Sequence, residues 1–309
     1  MKKILILMLA ALMLVSIAAC GSGGPNPSAP QSSPSPSPSP SPSPSPSPSP
    51  SPSPSPSPEA SAEPSPSDEP IDNKIDFSDK NFEKAVLELT GKAEGEVTNG
   101  DLALITALDV SELDIADLAE IGLFASLEEL ICSNNQLTAL DVSKNTALTK
   151  LDCRFNQLET LDISKNTALL YLECRDNQIK SLDLSKNTAL EILYCGNNPM
   201  TSLDITNNTA LQQLAMSNTT VMESLDISKN TLLERIWCGN NKIASLDTSN
   251  NTVLESLACN DNLLESLDIS NNALLTVLMC QRNFIPEKSA IIGLDEDKLE
   301  TFDFNPQHS

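Results

Sequence analysis

The chain has 309 residues, a formal net charge of −23 and an isoelectric point of about 4.2. Only 3% of the residues are aromatic, too few for an ordinary globular core, although stacked repeats can fill a core with aliphatic side chains alone. The acidic balance argues against nucleic-acid binding and against electrostatic docking on anionic lipid, because both require a basic surface.

Residues 1–19 have the pattern of an export signal. Lys2 and Lys3 provide a basic start, and the apolar run Ile4–Val15 is too short to span a membrane. The closing residues, Ile17-Ala-Ala-Cys20-Gly, resemble a bacterial lipobox. The resemblance implies that Cys20 is acylated and that this lipid anchors the exported protein to the bacterial cell membrane, exposed at the cell surface. An ordinary signal peptide that ends in a chance cysteine is the alternative.

Residues 20–70 contain the lipidated cysteine followed by a segment rich in Ser and Pro. Pro34–Pro58 is an uninterrupted Ser-Pro alternation. Such a segment has no apolar surface to bury, so we predict a disordered linker with mostly polyproline II conformation. At ~3.1 Å per residue, the linker reaches on the order of 150 Å when fully extended. A plain spacer is its simplest role, and glycosylation of its serines stays open.

Residues 71–126 predict a helical N-terminal cap and a degenerate first coil. Ser78 or Asp79 caps a helix that runs to about Thr90, where Gly91 stops it. Three apolar residues are expected on the inner face of this helix: Phe82, Val86 and Leu89. A solenoid needs such an atypical end to cover the open edge of its core.

A second short helix is predicted from Thr98, which has Asp101 three residues later, through Ile105. The segments Ala107–Ser111 and Ile115–Leu118 then form the degenerate coil. We expect this coil to begin the stack of repeats.

From residue 127 to residue 284 the phrase L-x-x-L-x-C-x-x-N-x-L recurs. Its cysteines are Cys132, Cys153, Cys174, Cys195, Cys238, Cys259 and Cys280. They are 21 residues apart, except for one gap of 43 in which Met216 takes the cysteine position and one extra residue falls near Thr219–Met222. A fixed period of this length indicates a solenoid, and the phrase closely resembles the leucine-rich repeat.

Each period contains two related halves, such as Leu148–Asn156 and Leu158–Asn166. Neither half has helical periodicity, and each alternates briefly before polar turn residues. We therefore predict a leucine-rich repeat solenoid of stacked short parallel β-strands, two per 21-residue coil, with a small α-helical N-terminal cap. Residues 285–309 form a C-terminal cap, in which the alternation of Leu299–Phe304 predicts a closing strand.

The nested 21-residue repeat resembles a bacterial subclass of leucine-rich repeats, and the cap resembles that of internalin-like bacterial surface proteins. Three elements carry the second resemblance: N-F-x-x-A-V at Asn81–Val86, I-T-x-L-D-V-S at Ile105–Ser111, and I-x-D-L at Ile115–Leu118. The resemblance covers roughly residues 75–309. It implies adhesion or binding at a host surface, without identifying a partner.

Stacked coils place equivalent residues ~4.8 Å apart, so that each repeat position becomes a column. The leucine and cysteine columns are expected to point inward, and Met216 in the cysteine column indicates structural thiols over disulfides or metal ligands. Buried asparagines are expected to bond the backbone of their own and the neighbouring coil.

An exposed aspartate column is predicted in the second halves: Asp141, Asp162, Asp183, Asp204, Asp226, Asp247 and Asp268. Stacked like charges repel unless they are offset, and lysines or serine hydroxyls close in sequence can do so. A calcium-binding strip is the sharper alternative, although the sequence has no EF-hand motif. We predict no metal site and no cofactor.

The outward positions of the first halves carry both tyrosines of the chain and its only tryptophan. Aromatic residues rimmed by arginine are typical of interface hot spots. We therefore predict a partner-binding face of eight residues: Arg154, Phe155, Tyr171, Arg175, Ile192, Tyr194, Arg235 and Trp237. Aromatic residues that merely cover a sheet are the alternative.

Catalysis is not expected. The only histidine of the sequence is His308, which follows the repeats, so no Ser-His or Cys-His nucleophile is predicted within them. The sequence predicts a non-catalytic, monomeric protein, held at the membrane by its N-terminal lipid, that recognises a protein or glycan at the cell surface. The alternative is a structural envelope or spacer lipoprotein with no dedicated ligand.

Overall fold

The computed structural model describes residues 73–219 and 222–308. The predicted export signal, the acylated Cys20 and the Ser-Pro linker lie outside these residues, as do residues 220 and 221 at the predicted insertion. All described residues belong to one compact unit, Pro66–Ser309. No helix among them is long and apolar enough to cross a membrane.

Helix α1, Lys80–Thr90, begins and ends where the sequence predicts. The Asp79 carboxylate accepts hydrogen bonds from the amides of Asn81, at 2.8 Å, and Phe82, at 3.0 Å. These bonds satisfy amides that the first turn leaves unpaired. Gly91 ends the helix with φ of 68°, a left-handed conformation that glycine adopts without strain.

Only part of the predicted inner face of α1 is buried. Phe82 and Val86 are fully buried, and the Phe82 ring stacks on Phe124 with a centroid distance of 5.9 Å. Leu89, however, is 52% exposed, so the prediction that it faces the core is wrong. It lies one turn beyond Val86, in the last turn of the helix.

Helix α2, Asn99–Ala103, has the predicted capping box. The Asp101 carboxylate accepts hydrogen bonds from the Thr98 amide at 2.9 Å and the Thr98 hydroxyl at 2.8 Å. The helix ends two residues before the predicted Ile105, and a 3-10 turn follows later at Ala119–Leu123.

Ten short parallel strands form one sheet that runs the length of the repeats. In sheet order they are β1 Ala107–Asp109, β2 Glu129–Ile131, β3 Lys150–Asp152, β4 Tyr171–Glu173, β5 Ile192–Tyr194, β6 Gln213–Ala215, β7 Arg235–Trp237, β8 Ser256–Ala258, β10 Val277–Met279 and β12 Thr301–Asp303. Each strand pairs with the next in uniform register, such as Leu151 with Leu172. The predicted leucine-rich repeat solenoid is therefore confirmed.

The middle residue of each repeat strand points into the core. These residues are fully buried: Leu130, Leu151, Leu172, Leu193, Leu214, Ile236, Leu257 and Leu278. The cysteine column beside them is equally buried, with Met216 in line, as the sequence predicts. Burial raises the pKa of the Cys195 and Cys238 thiols to about 12, so both are neutral near pH 7.

The prediction of two strands per coil is wrong for most coils. Among the described second halves, only Leu267–Asp268 (β9) forms a strand. Elsewhere the backbone turns, as at Asn145, whose amide donates to the Val142 carbonyl at 3.0 Å. The Ser143 amide donates to Asp141 at 3.0 Å. Such local bonds engage donors that a second ladder would require.

Strand β9 exists because the C-terminal cap gives it a partner. It pairs in parallel with β11, Ile291–Ile292. Gly293 follows with φ of 81°, and a Cβ there would lie 2.5 Å from the Ser270 Cα. Only glycine permits this close approach. The cap also contains 3-10 turns at Lys288–Ala290 and Glu296–Lys298.

The closing strand β12 forms where the sequence predicts. It adds to β10 in parallel, with Phe302 opposite Leu278. Phe304 is 8% exposed and joins the hydrophobic core at this end of the solenoid. The C-terminal cap therefore covers the core edge with a strand and an aromatic side chain.

Asparagines join the coils at two turns, as predicted. In the first half, Asn177 donates to the carbonyls of Cys153 at 3.0 Å and Cys174 at 3.1 Å, and its oxygen accepts from the Leu158 amide at 3.0 Å. In the second half, Asn187 donates to the carbonyls of Ile163 and Asn166. Both side chains therefore bond the preceding coil.

Candidate functional site

The outer sheet face consists of the first and third residues of each strand in the ten-stranded sheet. Since neighbouring strands pair in register, these residues form two columns across the solenoid. Tyr171 lies opposite Ile192, and Glu173 lies opposite Tyr194. Ala215 of β6 lies between Tyr194 on one side and Trp237 on the other.

Three rings on this face form a continuous aromatic row: Tyr171, Tyr194 and Trp237. The first two ring centroids are 5.9 Å apart, and the second pair is 6.3 Å apart. Both pairs are edge-to-face with interplanar angles of 77°, a geometry that aromatic quadrupoles favour. The small side chain of Ala215 lets Tyr194 and Trp237 meet across an intervening strand.

The tyrosine hydroxyls are already bonded within the face. The Tyr171 hydroxyl donates to a Glu173 oxygen at 2.6 Å, and the Tyr194 hydroxyl donates to the Gln213 side-chain oxygen at 2.6 Å. Burial raises the pKa of both phenols, and the neighbouring Glu173 raises it further. The rings are therefore held in fixed orientations, although each remains partly exposed to solvent.

A charged cluster lies beside the row. Glu173 is only 1% exposed and accepts from the Arg154 guanidinium at 3.2 Å and the Arg175 Nε at 2.6 Å. Asp152 is 6% exposed; burial, and then repulsion from Glu173, raises the pKa of its carboxyl. A buried carboxylate needs such partners, so the two arginines stabilise Glu173 while it fixes their positions.

Cationic groups also contact the rings directly. The Arg175 guanidinium lies 5.5 Å from the centroid of the Tyr194 ring, and the Lys150 ammonium lies 5.9 Å from that of Tyr171. These distances are within the range of cation–π attraction. Arg235, near the other end of the row, is paired with Glu255 at 3.0 Å.

Phe155 has an unfavourable backbone conformation. Eight equivalent turn residues have positive φ: Asn134, Phe155, Asp176, Asn197, Asn218, Asn240, Asp261 and Arg282. Asparagine and aspartate tolerate this left-handed region, whereas a bulky aromatic residue costs about 1 kcal/mol or more there. Phe155 has φ of 52° and is 47% exposed, so no core packing explains its presence.

The structure brings most of the eight predicted residues together, but not all. Ile192 lies on the strand beside Tyr171, while Arg154 and Arg175 meet at Glu173. Phe155 belongs to the turn after β3, at the margin of the outer sheet face. Arg235 lies in β7, four strands from β3.

Sequence reasoning missed two carboxylates and an amide that position the predicted residues: Asp152, Glu173 and Gln213. Asp152 and Glu173 occupy outward strand positions, yet both are buried beneath the arginines that follow them. The repeated acid-x-Arg spacing in consecutive coils was the available signal. It places opposite charges on the same side of a strand.

The aspartate column on the other side of the coils has a local structural role. Asp204 accepts hydrogen bonds from the Thr206 amide at 3.0 Å and hydroxyl at 2.7 Å, and these bonds lower the pKa of its carboxyl. The Ser164 amide donates to Asp162 in the same way, at 2.9 Å. Within the described residues, no group of three or more metal-ligating side chains is present.

Comparison with known proteins agrees with this architecture. The family model for leucine-rich repeats in two copies matches residues 125–166. A comparison with curated protein sequences finds no significant match. Among solved structures, the functional domain of InlJ from Listeria monocytogenes, which includes a cysteine ladder, is 36% identical with a TM-score of 0.65. That match covers 67% of this chain and 46% of the InlJ chain, so less than half of InlJ is represented.

Two further Listeria monocytogenes structures share the fold at lower identity. The internalin InlF is 22% identical with a TM-score of 0.64, over 78% of this chain and 80% of that chain. The internalin C2 is 22% identical with a TM-score of 0.58, over 66% of this chain and 94% of that chain. At this identity the likeness shows the fold alone.

Proposed function

We propose that this internalin-like leucine-rich repeat protein binds a macromolecular partner through its outer sheet face, as a non-catalytic adhesion-type protein. One observation carries the proposal: the two tyrosines of the aromatic row are held by hydrogen bonds through their hydroxyls, yet all three rings of the row are partly exposed. Rigid tyrosine and tryptophan side chains beside arginines provide large contact area with little loss of conformational freedom.

A second observation supports recognition over mere covering of the sheet. Phe155 keeps an exposed aromatic ring at a turn position that six of the other seven coils fill with asparagine or aspartate. Strained residues persist where function requires them. A spacer with no dedicated ligand does not explain why this turn has phenylalanine.

We favour a protein over a glycan as the partner. A glycan is recognised largely through hydrogen bonds to its hydroxyl groups, which require free donors and acceptors in the site. Here the tyrosine hydroxyls and the Glu173 carboxylate already bond neighbouring groups. Edge-to-face rings and a rigid arginine instead suit the apolar and acidic side chains of a protein surface.

The proposed location is the bacterial cell surface, with the protein as a monomer held by a lipid on Cys20. The sequence of the export signal and the likeness to internalins support export. Metabolic labelling with a clickable fatty acid tests the anchor: we expect label in the parent and none after Cys20→Ala. Label that persists in the variant would rule out Cys20 as the lipid site.

The binding proposal is tested by probing arrays of purified extracellular proteins and glycans with the chain. We expect Trp237→Ala to weaken retention by roughly 2 kcal/mol, about thirtyfold, because it removes the largest anchor of the row. Phe284→Ala is the matched control, since Phe284 is also aromatic and 41% exposed but lies outside the outer sheet face. Equal retention of parent and Trp237→Ala would favour the structural or spacer alternative.

A further inference from the structure

A groove lies at the N-terminal end of the repeats, where helix α1 meets the outer sheet face. It has a volume of about 350 Å³. Its walls include Ala85 and Leu89 of α1, Ala107 and Asp109 of β1, and Glu129 and Ile131 of β2. The volume is in the range of ligand-binding clefts.

The groove is apolar at its floor because the end of α1 stands beside the first strands without covering them. Leu89 is 52% exposed and Ile131 is partly exposed, although both are large aliphatic residues. Each lines the groove together with the alanines at 85 and 107. Burying such surface against a partner is favourable by roughly 25 cal/mol per Å².

Acidic residues surround this apolar floor. Asp109 and Glu129 line the groove, and both are exposed. The chain has no lysine or arginine from residue 93 to residue 143, whereas it has 11 acidic residues there. The nearby cations are already engaged: Lys150 lies 3.7 Å from Glu129, and Lys84 lies 4.0 Å from Glu88. The field at this end of the solenoid is therefore negative.

We propose that this groove is a second binding surface, which takes a large apolar side chain from a protein segment that carries lysine or arginine on either side of it. The apolar side chain enters between α1 and β2, and the flanking cations meet Asp109 and Glu129. Charge complementarity selects this occupant over an acidic or neutral segment. The proposal does not depend on the aromatic row.

Other occupants fit the charges less well. A second copy of this chain would bring the same acidic stretch to the groove, and like charges oppose that contact. Nucleic acid and anionic lipid would be repelled by the same field. A basic segment with a large apolar side chain is the occupant that matches both the apolar floor and the acidic residues around it.

The test is a fluorescence-anisotropy titration of the chain with a short labelled peptide that has two leucines flanked by lysines. We expect Leu89→Gln to weaken binding about tenfold through lost apolar contact. The double variant Asp109→Asn with Glu129→Gln is expected to weaken it about fivefold. Asparagine at 109 keeps the side-chain oxygen that accepts from Ser111, so the local turn is preserved.

Matched controls separate the groove from general effects. Leu104→Gln removes an 81% exposed leucine outside the groove, and Glu287→Gln with Glu300→Gln removes two charges from the C-terminal cap, outside the acidic stretch. Both controls should bind the peptide as the parent does. The proposal is overturned if the control charge variant weakens binding as much as the groove variant, or if the parent binds the peptide no better when serines replace its leucines. Trp237→Ala should leave peptide binding unchanged, so failure here and failure of the aromatic-row proposal are separate results.

Discussion

The two halves of each coil contain the same nine-residue phrase, yet they join neighbouring coils differently. The first half forms a strand whose backbone pairs with the next coil, as in Lys150–Asp152 with Tyr171–Glu173. The second half turns on itself, and asparagine side chains such as Asn187 bridge to the preceding coil. One side is a backbone ladder and the other is a side-chain ladder.

The two sides also differ in what they present to solvent. All seven second halves place aspartate at the same position, with a serine or threonine two residues later that donates its amide to the carboxylate. The outer sheet face instead changes from coil to coil, as at the third strand position, where Glu173, Tyr194, Ala215 and Trp237 follow one another. A backbone ladder holds the first side together whatever its outward side chains are, so that side is free to vary.

The largest expected effect tests the two asparagine ladders against each other. Asn177→Ala removes two donors and leaves the Leu158 amide without its acceptor, so we expect it to lower the unfolding free energy by about 3 kcal/mol. Asn187→Ala removes only the two bonds that its side-chain amide donates to the Ile163 and Asn166 carbonyls, and it should cost about 2 kcal/mol. Urea titrations of both variants provide the measurement. An equal loss in both variants, or a larger loss in Asn187→Ala, would contradict the claim that the first-half asparagine makes the additional bond.

A smaller effect is expected at Thr248, whose hydroxyl lies beside the oxygen of one asparagine of the second-half ladder. Six buried asparagine oxygens of this ladder, including that of Asn251, have no hydrogen-bond partner among the described protein atoms. The Thr248 hydroxyl lies 2.7 Å from the Asn272 oxygen of the next coil and 3.0 Å from the Asp268 carbonyl oxygen. Thr248→Val should therefore lower the unfolding free energy by about 1 kcal/mol. A thermal midpoint equal to that of the parent would show that this oxygen gains nothing from a protein donor.

A gain in unfolding free energy, instead of a loss, is expected from a substitution at Phe155. Asparagine tolerates the left-handed backbone that phenylalanine resists, and it is the residue of four equivalent turns. Phe155→Asn should raise the unfolding free energy by about 1 kcal/mol. Asn197→Phe is the reverse control, two coils further along with φ of 53°, and should lower it by a similar amount. Chemical denaturation of both variants measures the pair, and a loss of stability in Phe155→Asn would contradict strain at this turn.

The smallest effect concerns the buried carboxylates. Burial raises the pKa of Asp152 above its ordinary value of 3.8, so the ionised form opposes folding. Asp152→Asn should raise the unfolding free energy near pH 7 by about 0.5 kcal/mol. That gain should vanish as the pH falls below 3.8, where Asp152 is protonated in both states. Unfolding titrations at the two pH values make the comparison, and a gain that does not depend on pH would contradict an electrostatic cause.

Most of the fold could be predicted from the repeat period, because stacking turns each sequence position into a column. The burial of the leucine, cysteine and asparagine positions follows from this period: Cys153 and Cys174, for example, are one period apart and both lie in the core. The outcome for the second strand could not be predicted in this way. Both halves have the same sequence pattern, so the pattern predicts a strand in each. In the second half, bonds from serine amides to aspartate carboxylates fold the backbone into turns, and these bonds compete with strand pairing between stacked coils.

The candidate site was predictable in part for the same reason. Register placed Tyr171, Tyr194 and Trp237 on one face, but the row depends on ring orientation and on the small Ala215 between two of them. The burial of Glu173 was hidden because its position is outward in every coil. Long arginine side chains cover it, and a one-dimensional pattern does not represent such coverage.

The affinity of Phe155→Asn for a partner retained on the protein array tests the division between a structural side and a binding side most directly. This variant is expected to be more stable than the parent, so weaker binding cannot be attributed to unfolding. We predict weaker binding by about 1 kcal/mol, roughly fivefold, together with the gain in stability. Unchanged affinity alongside increased stability would contradict the claim that the margin of the outer sheet face keeps a strained aromatic residue for recognition.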